Sequence, residues 1–269
     1  MLLRRTPPPP LDAFVEWVWY SERDALPHRR ERGLPTGRAD IVIPLLQDEI
    51  LRHDGASMQR LRGGVVQGPH DRFSVRGTEG PSAVLGVHFK AGGAAALFGG
   101  ALPALRNRTV LLEEVWGTSA RELRESLQQA PTPAGKLRRM EQALWLRLRD
   151  APSPDPMVVA TLAALSRDPS QALIEPLQRA SGCSPAQFIR RFEQAVGLTP
   201  KRYARVLRFG ALLPALVRQG PRDWAQVAAD GGYFDQSHLI HEFRRIAGIT
   251  PGAYVPVAVD QPTHVVMRG

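Results

Sequence analysis

The chain has 269 residues, 43% of them hydrophobic, which is enough for one large domain or two ordinary domains with packed cores. Its net charge of +9 suits a polyanionic partner such as nucleic acid, although a codon bias toward arginine explains much of the excess equally well. A single cysteine excludes a disulfide framework and a cysteine-based zinc site, and no apolar run approaches the roughly 18 residues of a membrane span.

The first 150 residues are predicted to form a β-rich domain followed by helices. Prolines interrupt the first ten residues before any apolar signal core develops, so we expect a soluble cytoplasmic protein. Between about 34 and 90, short apolar runs alternate with glycine and proline, as in antiparallel strands and turns. The clearest runs are 41–43, 65–66 and 83–89, whereas 17–20 suits a strand or a helix. Helices are predicted at 94–98, after a cap at Thr118 and Ser119, and over 137–148.

The string APSPDP at 151–156 is the best linker candidate, because it is small, polar and proline-rich. It would separate an N-terminal domain, 1–150, from a helical domain, 157–255, and a tail, 256–269, that no pattern places. In the helical domain we expect helices over about 157–167, 170–181, 184–196 and from 199 to about 219, followed by a final pair.

The final pair, 223–254, has the pattern of a helix-turn-helix unit. Asp223 can cap a short first helix and the glycines at 231 and 232 end it. Asp235 can cap a second helix, whose inner face is apolar and whose outer face carries hydrogen-bonding and cationic side chains. Side chains of those kinds read base edges and bind phosphates.

A second copy of this pattern lies at 174–203. Ser184 takes the position of Asp235, 51 residues away, and Phe188 and Phe192 correspond to Leu239 and Phe243. Both copies continue with a glycine, a Thr-Pro pair and a tyrosine. Two such units joined by one long helix are far more specific than a single helix-turn-helix pattern.

Residues 157–255 therefore resemble the DNA-binding region of the AraC/XylS family of bacterial transcription regulators. The second unit matches best, through Gly232-Tyr233, Asp235, Phe243-Arg244-Arg245 and the segment 248–254. Gln178 and Pro176 depart from the family pattern, and proline removes a helical hydrogen bond. We expect the support helix of the first unit to be kinked or shortened.

The resemblance implies an α+β protein, with a β-rich sensor domain (a small barrel or cupin-like) and then an all-α domain of two helix-turn-helix units joined by a long helix. It implies double-stranded DNA as the partner, without a cofactor, and it allows for a small-molecule effector, a homodimer and contact with RNA polymerase. Two recognition helices on one linking helix can enter successive major-groove segments, about 34 Å apart.

The positions implied to contact DNA lie in three places. Arg190 is the best candidate for a guanine contact, and Gln236 for an adenine or a phosphate. Arg191, Arg244 and Arg245 are expected to bind phosphates or to pack on the outer face. The full set is Ser184, Ala186, Gln187, Ile189, Arg190 and Arg191 in the first unit, Lys201 and Arg208 in the linking helix, and Asp235, Gln236, Ser237, His238, His241, Arg244 and Arg245 in the second unit.

In the N-terminal domain, the hypothesis is a small-molecule pocket lined by strands, or a dimerisation surface. The ligand candidates are Arg38, Asp40, His88 and Lys90, with His70 and Arg72 as further polar groups. For each of them, a turn salt bridge or a half-buried histidine is the simpler interpretation. The spacing of the histidines does not suggest a metal site.

Two other functional classes fit the sequence less well. An enzyme centred in 1–150 would need a nucleophile–base pair, a phosphate loop or a metal cluster, and none is visible, so we assign no catalytic residue. A sensor that acts only through protein partners would have a helical domain that does not bind DNA.

Overall fold

A computed structural model describes residues 1–54, 57–217 and 223–267. The strands are β1 Leu2–Arg5, β2 Val15–Arg23, β3 Arg30–Gly33, β4 Asp40–Pro44, β5 Glu49–Asp54, β6 Ser57–Arg62, β7 Val65–Gln67, β8 Ser74–Gly77, β9 Ser82–Phe89, β10 Thr109–Leu111 and β11 His264–Val266. The helices are α1 Ala95–Phe98, α2 Leu112–Trp116, α3 Ser119–Gln129, α4 Pro133–Leu148, α5 Pro156–Arg167, α6 Ile174–Ala180, α7 Pro185–Val196, α8 Pro200–Val217, α9 Trp224–Asp230 and α10 Gln236–Ala247.

The strands form two antiparallel sheets. The first sheet has the order β1-β2-β9-β4-β7-β10, and the second sheet has the order β11-β3-β8-β5-β6. Apolar residues of β2, β4 and β9 share one buried core with α3 and α4. The β-rich N-terminal part followed by an all-α region confirms the predicted α+β class.

The C-terminal tail returns to the N-terminal domain. Its strand β11 pairs antiparallel with β3, with Val265 opposite Arg32 and Val266 opposite Glu31. Residues at opposite ends of the chain therefore complete one sheet, a pairing that no local sequence pattern indicated.

The long helix α8 connects the two helix-turn-helix units and supplies an aromatic ring to each. The ring of Tyr203 lies 5.9 Å from that of Phe192 in the first unit. The ring of Phe209 lies 5.1 Å from that of Phe243 in the second unit. All four side chains are almost fully buried, so each unit shares its core with the same helix. The end of the predicted helix, 218–219, lies outside the described residues.

The structure settles one alternative, the strand or helix at 17–20, and corrects a predicted helix cap and a linker boundary. Residues 17–20 lie in strand β2 rather than in a helix. The predicted cap of α3 is not formed: Thr118 already has helical backbone angles, and the Ser119 hydroxyl donates to the carbonyl of Trp116. Pro156, placed in the linker, is the first residue of α5, which Asp155 caps.

The support helix of the first unit is shorter than the predicted 170–181, since α6 begins only at Ile174. The Asp168 carboxylate accepts hydrogen bonds from the backbone N–H groups of Ser170 and Gln171, which holds this segment in a turn. Pro176 then occupies the first turn of α6, where a missing N–H costs least. The expected shortening is confirmed.

In the part of the chain that the structure describes, no helix is both long and apolar enough to cross a membrane.

Candidate nucleic-acid interface

The two recognition helices, α7 and α10, begin and end with matched local signals. Ser184 caps α7 in a reciprocal capping box with Gln187, and Asp235 caps α10 by accepting the N–H of His238 at 2.7 Å. Each helix ends at a glycine in the left-handed conformation, Gly197 or Gly248. The repeated sequence motif is therefore a repeated structure.

One face of each recognition helix is buried and the opposite face is exposed. Phe188 and Phe192 of α7, like Leu239 and Phe243 of α10, are at most 1% exposed. The positions implied to read bases are exposed: Ala186, Gln187, Ile189 and Arg190 in α7, and Gln236, Ser237, His238 and His241 in α10. Arg244, Arg245 and Lys201 are exposed as well. The structure thus leaves two polar, basic surfaces open to solvent.

Some of the predicted contact residues already have intramolecular partners. The guanidinium of Arg191 binds the Asp155 carboxylate through two nitrogens, at 2.9 and 2.8 Å, and also donates to the sulfur of Cys183. The guanidinium carbon of Arg208 lies 5.7 Å from the centre of the Tyr233 ring, beneath the second unit. Both arginines therefore stabilise the domain internally, whereas Arg190 has no intramolecular ion pair among the described residues.

His238 is partly committed to the turn before α10. Its Nδ1 accepts the backbone N–H of Phe234 at 3.2 Å, and its ring meets the Tyr233 ring edge to face at 5.4 Å. With Nδ1 accepting, a neutral ring carries its proton on Nε2 and can donate from the exposed side.

An ion pair that the sequence did not reveal fixes α10 on α8. The guanidinium of Arg205 binds the Glu242 carboxylate at 2.8 and 2.5 Å, with both side chains largely buried. Glu242 is the single acid of α10, which is the one signal that could have drawn attention to it. Bidentate pairs fix orientation, so this contact sets how the second recognition helix points.

In the first unit, the unusual Gln178 has a structural use. Its side-chain amide donates to the carbonyl of Cys183 at 2.7 Å, across the turn that Gly182 makes with a φ of 67°. The family departure at this position thus holds the turn before α7 together.

The helical domain contacts the N-terminal domain through α8 and through the end of α10. Arg202 of α8 pairs with Asp71 at 2.5 Å, and Asp71 also accepts from Asn107. Burial alone would raise the pKa of Asp71, but the hydrogen bonds from Asn107 and Arg202 lower it. At the end of α10, the N–H of Phe73 donates to the carbonyl of Ile246 at 2.7 Å. These contacts leave the outer faces of α7 and α10 uncovered.

The N-terminal ligand candidates are only partly brought together. Asp40 and His88 lie opposite each other on β4 and β9, with His88 Nδ1 2.5 Å from Asp40 Oδ1 and Trp17 stacked on the imidazole. Arg38 instead pairs with Glu16 at 2.7 Å, and Lys90 is exposed at the end of β9. Among the described residues, no three His, Cys, Asp or Glu side chains converge as a metal site would require.

A charged row on the second sheet was missed by the sequence interpretation. Glu31, Arg76 and Arg52 lie directly opposite one another on β3, β8 and β5. Glu31 is 1% exposed and Arg52 is 9% exposed. Burial lowers the pKa of Arg52 to about 10, and the neighbouring charge of Arg76 adds to the effect. The sequence signal that could have revealed this row is a charged residue, such as Arg52, at a position of a short strand that faces the interior.

His70 and the tail residue His264 lie near this row. Burial lowers the pKa of His70, whose Nδ1 lies 2.5 Å from the carbonyl oxygen of Gly68. Burial lowers the pKa of His264 to about 4, with the positive charge of Arg76 as the next cause. Arg72 is exposed and takes no part.

Comparison with known proteins supports two separate assignments along the chain. A family model described as a helix-turn-helix domain matches residues 177–255, and a model described as a domain of unknown function (DUF6597) matches residues 3–111. Proteins described as AraC-like transcription regulators from Streptomyces antibioticus and Streptomyces lividans are 33% and 32% identical over 101 residues. That stretch is 37% of this chain, and the chain covers only 33% of each relative's length.

Among solved structures, ToxT from Vibrio cholerae superposes over 87% of this chain and 97% of its own, with 9% identity and a TM-score of 0.45. The helix-turn-helix match covers both recognition helices, and the curated relatives share the AraC description. The resemblance drawn from the sequence is confirmed for the C-terminal domain: residues 177–255 match a helix-turn-helix family model, and a stretch of 101 residues is similar to AraC-like transcription regulators.

Proposed function

We propose that the protein is a sequence-specific DNA-binding transcription regulator that reads the major groove with α7 and α10. The observation that carries this proposal is the pair of exposed polar faces on two helices with matched caps, both packed on α8. A shared rigid helix fixes the relative position of two recognition helices within one chain, as a dimer interface does for single helix-turn-helix proteins. In this proposal the protein is not an enzyme and acts in the cytoplasm.

The proposed contacts follow the exposed set. Arg190 and Gln236 contact base edges, while Lys201, Arg244 and Arg245 contact phosphates. Arg191 and Arg208 hold the domain together, with Ser184 and Asp235 as helix caps near the backbone of the DNA.

The direct test is selection of genomic fragments with the purified full chain, followed by fluorescence anisotropy on the selected duplex and on a scrambled duplex. We expect binding that prefers the selected duplex and weakens steeply as salt rises from about 50 to about 200 mM, because phosphate contacts release counterions. Equal binding to both duplexes, or no dependence on salt, would overturn the proposal.

We further propose that the N-terminal domain controls DNA binding through its contacts with the helical domain. The pair Arg202–Asp71 and the hydrogen bond from Phe73 to Ile246 connect the two domains directly. A small-molecule effector, homodimerisation and contact with RNA polymerase are the interactions that would use this connection. Sedimentation of the chain with and without DNA measures the homodimer separately.

A further inference from the structure

The face of the second sheet that carries Glu31, Arg76 and Arg52, called the inner face below, has more positive than negative charge. Arg76 lies directly opposite Arg52 on the neighbouring strand, an arrangement that repels. Arg23 adds a third guanidinium near Arg76, and the carboxylates that face this group are Glu31 and Asp40. These three arginines and two carboxylates together have a net charge of +1; Arg52 and Glu31 are buried, whereas Arg23 and Arg76 are partly exposed.

The two opposed arginines differ in how they are satisfied. Arg76 donates to the Glu31 carboxylate through Nε at 2.9 Å and through Nη2 at 2.5 Å. Arg52 makes no hydrogen bond to any described side chain, and its buried Nε has no partner. Asp40 attracts Arg52 electrostatically, but its Oδ1 is taken by His88. A buried cation without a hydrogen-bonded anion is costly, so this site is incomplete as it stands.

A second polar atom without a hydrogen-bond partner, Nδ1 of His264, reaches the same interior from the tail. Val266 is paired with Glu31, and His264 lies two residues away on β11, so both side chains are on the face that carries Glu31. His264 interacts electrostatically with Arg76, Glu31, Asp40 and Arg52, and its buried Nδ1 has no partner among the described residues. A neutral imidazole has one N–H to donate.

We propose that Arg52 and His264 together bind a small carboxylate anion on the inner face of the second sheet. A carboxylate accepts hydrogen bonds from guanidinium and imidazole groups at once, and its single negative charge balances the excess positive charge. A doubly charged phosphate would face Glu31 and Asp40 with one negative charge too many. The site should therefore prefer a carboxylate over phosphate because of its charge as well as its hydrogen bonds.

The tail strand links this site to the second recognition helix. Successive side chains of a strand point to opposite faces, so His264 and Val265 point apart. Val265 is 4% exposed and belongs to the apolar cluster that contains Phe243 of α10 and Phe209 of α8. An anion that holds His264 also holds β11 against this cluster. This last step rests on the proposed DNA-binding function, whereas anion binding itself does not.

Thermal unfolding of the full chain tests the site without DNA. Sodium acetate and sodium benzoate are compared at constant ionic strength with acetamide and benzamide, their uncharged counterparts, and with phosphate and sulfate. We expect at least one carboxylate to raise the melting temperature in a saturable manner, while the amides and the inorganic anions do not. No response to carboxylates, or an equal response to the amides, or a response only to phosphate or sulfate, overturns the proposal.

Variants assign the response to the two residues. Arg52→Met should abolish it, and His264→Gln should weaken the apparent affinity by more than about tenfold, since a buried charged hydrogen bond is lost. Arg60→Met, which removes a mostly exposed arginine of the adjacent strand β6, should retain it. Without ligand, Arg52→Met should melt higher than the parent chain, because it removes an unpaired buried cation. A lower melting temperature for Arg52→Met would show that Arg52 has a structural role instead, and an unchanged response in either site variant would overturn the assignment of the site.

Anisotropy on the selected duplex then tests the link to DNA. The stabilising carboxylate should change the affinity of the parent chain for the duplex and leave the affinity of Arg52→Met unchanged. If DNA binds but no carboxylate stabilises the chain, the anion site is wrong and the proposed function stands. If a carboxylate stabilises the chain but no duplex is selected, the anion site stands and the proposed function is wrong.

Discussion

Gly248 ends α10 with its α-carbon against the ring of Phe73, so closely that a β-carbon there would overlap Cε1 of Phe73. The same β-carbon would also overlap Nη1 of Arg32. The guanidinium of Arg32 lies 4.9 Å from the centre of the Phe73 ring and donates to the carbonyl of Ala247 at 3.0 Å. The second recognition helix therefore ends directly on the N-terminal domain. A conformational change in that domain that moves Arg32 or Phe73 would therefore act directly on the end of α10.

Replacing Gly248 by alanine should destabilise the chain by about 1–3 kcal/mol, because the residue has a φ of 69° and no space for a β-carbon. Gly210, inside α8, is the matched control: a β-carbon there meets nothing within 4 Å, and Gly210→Ala should stabilise by up to about 1 kcal/mol. Urea denaturation of the two variants checks both signs. Equal effects of the two substitutions would show that the contact with Phe73 contributes nothing.

Arg190→Ala should weaken binding to the selected duplex by about 1–3 kcal/mol and relax preference at one base pair. The reason is that Arg190 is exposed on the outer face of α7 and free to bind a guanine in bidentate fashion. Arg62→Ala removes the same charge from an exposed position on β6 and should leave the base preference intact. Anisotropy with single-base-pair variants of the duplex separates the two cases, and an undiminished preference in Arg190→Ala would contradict the assignment.

Arg191→Ala should act differently from its neighbour, because its guanidinium is bound by Asp155 at the start of α5. The side chain is partly exposed, so we expect only a small loss of stability. The affinity for DNA should fall equally for all duplexes, without a change in base preference. Asp155→Asn provides the complementary variant, and a specific loss at one base pair in Arg191→Ala would show that the ion pair opens on DNA.

The sequence predicted the helix-turn-helix units well because their signals are local. Caps such as Ser184 and Asp235, the glycines that end the helices, and apolar residues at helical spacing all lie within about a dozen residues of each other. Even the shortening of α6 followed from Pro176, although the turn held by Asp168 was not foreseen. Local chemistry determines these elements, so they can be inferred without knowledge of the rest of the fold.

The N-terminal site was harder to infer because its residues come together only through sheet pairing. Arg52 and Arg76 are opposed across β5 and β8, and His264 lies on a strand 188 residues beyond Arg76 (264 − 76). The sequence interpretation chose Asp40 and His88, which do pair, but also Arg38 and Lys90, which the fold directs elsewhere. Register between distant strands cannot be derived from composition or periodicity.

Acidification from pH 7 to pH 5 should destabilise the chain, with His264 as a main cause. Burial lowers the pKa of His264 to about 4, next to the positive charges of Arg76 and Arg52 and the carboxylates of Glu31 and Asp40. An unfolded histidine has a pKa of about 6.5, so between these values the unfolded chain takes up a proton that the folded chain does not. Stability from this group is complete above pH 6.5 and is lost as the pH falls toward 4, with a slope of at most about 1.4 kcal/mol per pH unit.

The measurement is urea denaturation at pH 7, 6 and 5 on the parent chain and two variants. His264→Gln should reduce the slope, because it removes the titrating group while keeping a polar side chain. His241→Gln, which replaces an exposed histidine of α10, should retain the parent's slope. His70 contributes in the same direction, since burial lowers its pKa as well, so part of the slope should persist in His264→Gln. A chain that becomes more stable as the pH falls from 7 to 5 would show that His264 is protonated in the folded state.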